Sequence, residues 1–152
     1  MGLAIILTIV AVILAMQSEK FSWVDAGGPR LRVSLAGAAR EGSPTVVFDT
    51  GGAASHELWG DVPSIVSRYT RTVAYDRAGN GLSDASTTPR DARHIATELR
   101  TALRTANVLP PYILAGHSLG GMYVRVFADM YPNDVAGLVL VDPTQEQTQA
   151  WA

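Results

Sequence analysis

Two hydrophobic periods alternate along this chain. Short apolar runs of strand type are separated by longer stretches whose apolar residues recur at helical spacing. From Phe21 onward this alternation predicts an α/β domain with a mostly parallel sheet and flanking helices. Phe21–Asp25 and Leu31–Leu35 flank Gly27-Gly28-Pro29-Arg30 and predict an antiparallel hairpin. Thr45–Phe48 is a buried-type strand running into the loop Asp49-Thr50-Gly51-Gly52. A helix is expected from about Leu58 to Arg68, and a strand over Arg71–Tyr75 that ends in the turn-rich Asp76-Arg77-Ala78-Gly79-Asn80-Gly81.

Thr88-Pro89-Arg90-Asp91 reads as an N-cap, a proline at the first helical position and an acid closing a capping box. Ile95, Leu99, Ala102, Leu103 and Ala106 then share one helical face. A strand over Tyr112–Ala115 leads to a helix over Leu119–Tyr131, ended by Pro132. Ala136–Val141 is the last expected strand, stopping at Asp142-Pro143. The pattern divides the chain into an N-terminal hydrophobic segment (1–18), an α/β domain (21–143) and a polar tail (144–152).

Residues 2–16 (GLAIILTIVAVILAM) carry no charge and one hydroxyl. As a helix the segment would be roughly 22 Å long at about 1.5 Å per residue, short of a ~30 Å hydrocarbon core. It lacks the basic n-region and good cleavage site of a secretory signal. Membrane anchor, signal peptide and buried helix all stay open, the first two implying a membrane-associated or exported protein. Elsewhere composition narrows the field. The 152 residues are 47% hydrophobic and 17% charged with a formal net charge of −2, and neither a basic patch nor an acidic run argues for a nucleic-acid partner. The absence of cysteine excludes disulfides, thiolate metal sites and a cysteine nucleophile.

The chemistry concentrates at Gly116-His117-Ser118-Leu119-Gly120-Gly121, between a strand and a helix. A serine between glycines at such a corner is a nucleophile elbow. The turn is so tight that side chains two residues to either side of the serine would collide, and the Oγ is held beside the first free N–H groups of a helix.

Four segments, in this order and at strand ends, resemble the α/β-hydrolase fold superfamily: Val46–Gly52, Tyr75–Asp84, Gly116–Gly121 and Leu138–Pro143. The similarity runs from about Val24 to Pro143. It implies an α/β-hydrolase-type sheet truncated after its sixth strand, to which the apolar run of residues 2–16 adds an expected N-terminal helix. It also implies a serine hydrolase acting on an ester, amide or related carbonyl of a small molecule through an acyl-enzyme, without cofactor or metal. Ser118 matches the nucleophile, and the backbone N–H groups of Leu119 and Gly52 match the oxyanion donors. Thr50-Gly51 stands where many relatives have His-Gly.

In that family the acid and then the histidine follow the serine. Here His56, His94 and His117 all precede Ser118. His117 is adjacent to the serine and its side chain is expected to diverge from the Oγ, while His94 is expected in solvent. His56 is either a loop residue or leans over the crevice. Asp142, at a strand end, is a candidate acid or simply ends the strand. Asp76-Arg77 reads as a polar network bracing the Gly79 and Gly81 turn, with substrate contact as the alternative, and Asp49 as a strand-end residue near the oxyanion loop. Trp23, Trp59 and Tyr69 are expected in core or interface. The competing expectation is a truncated, non-catalytic remnant that binds a partner or is tethered to a membrane through residues 2–16. Its strand 136–141 would be an apolar open edge, fit to pair with another chain.

Overall fold

The computed structural model describes residues 20–145. The apolar helix expected over residues 2–16 and the tail beyond residue 145 lie outside the described residues. Six strands form one sheet in the order β1-β2-β4-β3-β5-β6. These are β1 (Lys20–Asp25), β2 (Arg30–Ala36), β3 (Thr45–Asp49), β4 (Thr72–Tyr75), β5 (Tyr112–His117) and β6 (Val135–Val141). The first two form the expected hairpin, antiparallel from Lys20↔Leu35 to Asp25↔Arg30. Asp25 Oδ1 accepts the Gly27 N–H at 2.7 Å and closes its turn. β2 joins β4 antiparallel, and β4, β3, β5 and β6 are mutually parallel.

The helices are α1 (Val62–Val66), α2 (Ala92–Thr105) and α3 (Leu119–Met130), with 3₁₀ turns at His56–Trp59 and Pro132–Asp134. Because side chains alternate across a strand, Val47, Val73 and Leu114 face one side of the sheet and Phe48, Ala74 and Ala115 the other. The first set packs with Leu99, Leu103, Val124 and Phe127 of α2 and α3. The second lies under Trp59 and Val66. Covering on both faces is why β3, β4 and β5 read as near-continuous apolar runs.

Two expected boundaries move. The single helix expected over 58–68 is a 3₁₀ turn and a five-residue helix, because Gly60 breaks the chain at φ +51 and Pro63 fits only in a first turn. The cap of α2 is Asp91, whose carboxylate accepts the N–H groups of Arg93 and His94 at 3.0 Å each. Thr88, expected to cap, instead donates its hydroxyl to Glu98 Oε1 at 3.2 Å. Among the aromatics, Trp23 and Tyr69 are exposed rather than in the core, while Trp59 packs edge-on against Phe48 at 5.0 Å.

β6 pairs with β5 on one side, and Leu138, Val139, Leu140 and Val141 remain 39–49% exposed. Apolar on both faces yet half open, it is the least protected strand of the parallel set. The core is better closed at Phe127, which is fully buried between Tyr112 and Tyr131 with ring centroids at 6.3 and 5.1 Å. Phe127→Ala is expected to cost about 3–5 kcal/mol, the range for emptying a closed aromatic site. Urea unfolding followed by far-UV circular dichroism measures it.

Candidate active site

The corner between β5 and α3 is built by what its glycines lack. A Cβ on Gly116 would stand 2.6 Å from the Gly120 carbonyl oxygen, and one on Gly120 would stand 2.5 Å from that of Thr50. A Cβ on Gly121 would stand 2.6 Å from Pro143 Cβ. With these positions bare, β5 turns directly into α3 and the end of β3 rests on the first turn of that helix. Ser118 takes φ 51, ψ −119 as a result. A non-glycine residue there costs on the order of 1–3 kcal/mol. Its N–H donates to Val141 O at 3.0 Å, and its carbonyl accepts from Gly121 at 3.0 Å and Thr144 at 2.9 Å. The strained residue is thus bolted to the end of β6.

The loop after β3 lies against this serine. A Cβ on Gly51 would stand 2.9 Å from Ser118 Cβ and 3.4 Å from its Oγ, so any side chain at 51 would press on the hydroxyl. Gly52 follows at φ +37, on the surface, and no hydrogen bond among the described residues uses its N–H. Leu119 opens α3, where first-turn N–H groups have no intrahelical partner. The structure therefore brings Ser118, Leu119 and the 51–52 loop to one place.

Beneath the loop is a buried ionic group. Arg77, 4% exposed, donates through Nη1 to Asp49 Oδ1 and to Thr50 O (2.6 Å), and through Nη2 to Gly51 O (3.3 Å) and Gly52 O. Tyr75 Oη donates to the other oxygen of Asp49 at 2.7 Å, and the guanidinium lies over the Tyr123 ring at 5.0 Å. Burial pushes the Asp49 carboxyl up against the pull of Arg77 and Tyr75. Burial opposes the charge on Arg77, but Asp49 and Tyr75 together outweigh it and hold the guanidinium above its ordinary value. Arg77 thus braces the 50–52 loop, whereas sequence reasoning placed it on the Gly79–Gly81 turn. The available signal was an arginine directly after a strand whose neighbour ends in aspartate, which topology alone converts into a pair.

Asp76 does brace the Gly81 turn. Its Oδ2 accepts the Leu82 N–H at 3.2 Å, and its Oδ1 accepts the His56 N–H at 2.8 Å and lies 2.7 Å from His56 Nδ1. Burial works against the charged form, but these bonds prevail and hold the Asp76 carboxyl below the usual carboxylate range. His56 is consequently buried on Asp76 rather than leaning over the crevice. His94 is exposed at the start of α2, with Nδ1 2.6 Å from Asp91 Oδ2. His117 turns its ring edge to Trp59 at 6.4 Å, and its Nδ1 is buried without a partner. Among the described residues no hydrogen bond reaches Ser118 Oγ, and a Cβ on Gly51 would stand 3.1 Å from His117 Nδ1 as well as 3.4 Å from that hydroxyl. Asp142 is exposed at φ 42 after β6, with no imidazole on it among the described residues. No group of three or more His, Cys, Asp or Glu among them could hold a metal ion. Two clefts of about 270 Å³ flank the site, one lined by Leu58, Trp59, Val62, His117 and Val141, the other including Gly52, Arg77, Asn80 and Tyr123.

A family model described as the alpha/beta hydrolase fold matches residues 44–152, from β3 through the elbow and beyond. The chain belongs to the α/β-hydrolase fold family. Its solved relatives include the candidate lipase lip1 of Acinetobacter baumannii AYE, at TM-score 0.76 and 26% identity over 90% of this chain and 45% of that one. It is 36% identical over 106 residues to the protein YqjL of Bacillus subtilis, covering 68% of this chain and 42% of that protein. It is 39% identical over 72 residues to the (lyso)-N-acylphosphatidylethanolamine lipase of Bos taurus, covering 45% of this chain and 21% of the lipase. The chain thus spans less than half the length of each of these relatives.

The Asp76 pairing has a pH signature. Its carboxyl titrates lower in the native protein than in the unfolded chain, where it sits near 3.9. The stabilisation is therefore fully present above that value and is lost as the pH falls through the native pKa. Asp76→Asn is expected to flatten the acid limb of a stability-against-pH curve, measured by urea midpoints between about pH 5 and 3.

Proposed function

We propose that this α/β hydrolase is a serine hydrolase in which Ser118 attacks the carbonyl of an ester, amide or related small-molecule substrate. The observation that carries the reading is the placement of Ser118 at φ 51 with its side chain against Gly51. As the Oγ–carbon bond forms, the carbonyl electron pair moves to oxygen, and the N–H groups of Gly52 and Leu119 hold that oxyanion. Each such donor is typically worth about 3–4 kcal/mol in the transition state. Collapse of the tetrahedral species expels the alcohol or amine and leaves the acyl group on Ser118, and water repeats the sequence to release the acid. No cofactor takes part. The apolar cleft at Leu58, Trp59 and Val62 is of a kind to receive a hydrocarbon portion of the substrate.

Among the described residues no histidine hydrogen-bonds to the Ser118 Oγ that must lose its proton in this scheme, and Asp142 is the acid candidate that the chain itself carries. A serine hydroxyl without a base is a weak nucleophile at neutral pH. That absence at Ser118 Oγ favours a second reading for the 152 residues alone, a non-catalytic module of the same fold. The open strand β6 would then pair with another chain, and the uncharged segment 2–16 would serve as membrane tether or export signal.

A fluorophosphonate probe decides between them. Folded wild-type protein is expected to label on Ser118, and the Ser118→Ala variant, folded by circular dichroism, is expected to stay unlabelled. Equal labelling of the two, or none of folded wild type, overturns catalysis by this chain and leaves the binding module.

A further inference from the structure

We infer that Arg77 is a positioning residue for the oxyanion site, aiming the N–H of Gly52 through the carbonyl oxygens it holds. The inference rests on the reading of Ser118 as nucleophile and deepens it. In a trans peptide the C=O and the following N–H point in opposite directions across one rigid plane. The plane that carries Gly51 O also carries the Gly52 N–H, and the planes of Thr50 O and Gly52 O carry the N–H groups of Gly51 and Ala53. Arg77 donates to all three oxygens. The three N–H groups therefore point away from the guanidinium, and the loop that bears them touches Ser118 at Gly51.

The rest of the network fits this role better than substrate contact. Nη1 and Nη2 are already engaged by Asp49 and three carbonyls, and the residue is buried, which leaves little of the fork for a ligand. A planar five-donor fork can span consecutive carbonyls, whereas a lysine ammonium offers one point of charge. Asp49 fixes the guanidinium from β3 and neutralises it, and Tyr75 fixes Asp49 from β4. Three further bonds finish the loop: Thr50 Oγ1 donates to Ala54 O at 3.0 Å, Ala54 N–H donates to Gly51 O at 3.1 Å, and Asn80 Nδ2 donates to Gly52 O at 3.3 Å. None of these spans all three planes, and among the described residues Arg77 is the group that ties them to one another.

The test exploits the absence of cysteine from the chain, which makes the thiol of a Ser118→Cys variant unique. Acylation of that thiol by p-nitrophenyl acetate develops an oxyanion. Alkylation by iodoacetamide is a displacement at saturated carbon and develops none. The ratio of the two rates at one pH cancels the thiolate fraction and the accessibility of the sulfur. Adding Arg77→Met to S118C is expected to lower the ratio by about 10- to 100-fold, since losing a whole oxyanion donor typically costs about 10²–10³. Arg77→Lys should fall between. The combination Asp49→Asn with Arg77→Met removes the stranded carboxylate, keeps the fold available for measurement by circular dichroism, and should match R77M.

An unchanged ratio in R77M and in the double variant, or a fall in both rates together, overturns the positioning role. If S118C with Arg77 intact shows a ratio no higher than a cysteine-containing peptide, the oxyanion site itself fails, and the Arg77 inference falls with it. An elevated ratio in S118C that survives loss of Arg77 overturns the Arg77 inference alone.

Discussion

The site depends on one close approach of backbone to backbone. At Gly120 the first turn of α3 meets the carbonyls that end β3, with no space for a methyl group between them. That contact brings a loop and a helix N-terminus, 69 residues apart in sequence between Thr50 and Leu119, to a common point. It also explains why the corner accepts strain at Ser118. A positive φ there is the way for β5 to enter a helix already seated on β3, and hydrogen bonds from the Ser118 N–H to Val141 O and from the Thr144 N–H to the Ser118 carbonyl keep it in place. Energy of order 1–3 kcal/mol stored at one residue is small against the packing that holds it.

A second constraint is electrostatic. Burying an arginine and an aspartate is expensive, and the pair persists because both ends are filled with hydrogen bonds. Asp49 has Tyr75 and Arg77, and Arg77 has the carboxylate and three carbonyls. The carbonyls matter most. A loop drawn this close to Ser118 has no side chain of its own at Gly51 or Gly52 with which to anchor itself. Thr50 Oγ1 and the Ala54 N–H close the turn from within, and from outside a guanidinium is the side chain whose shape serves several oxygens at once. Loss of glycine side chains and gain of a buried arginine are two parts of one arrangement.

Most of the fold was legible because it rests on periodicity. The strands and the two long helices follow from apolar spacing, and the elbow from glycines whose steric role is local. What escaped has nonlocal or competitive causes. The run 58–68 carries helical spacing, yet Gly60 and Pro63 divide it, since two backbone breakers outweigh a weak apolar face. Thr88 has the right neighbours for a cap, but Glu98 claims its hydroxyl and Asp91 offers a stronger acceptor to the free N–H groups. His56 takes its loop alternative, at the start of a 3₁₀ turn on Asp76, and Trp23 stands outside the core on the exposed face of an edge strand. The reach of Arg77 to the 50–52 loop needed the order β4-β3 in the sheet, which places the ends of two strands side by side. Strand order is set by long-range pairing, and no local pattern states it.

The two halves of acyl-transfer catalysis are therefore encoded differently. On the proposed reading, oxyanion stabilisation would come from backbone N–H groups where β3, β5 and α3 converge, without any titrating group. Proton transfer needs an imidazole at the Oγ, and in this chain Asp76 and Asp91 hold two of the three while Trp59 faces the third. In serine hydrolases generally, the oxyanion site and binding alone retain roughly 10³–10⁴-fold acceleration over water when a triad member is removed. On the proposed reading the described arrangement would be of that kind. Its strained serine and the N–H groups of Gly52 and Leu119 would then lower the energy of a tetrahedral adduct, whether or not a base hastens its formation. On that reading the folding of residues 20–145 would supply the more demanding half, because donors that must aim within a fraction of an ångström cannot be supplied by a mobile side chain.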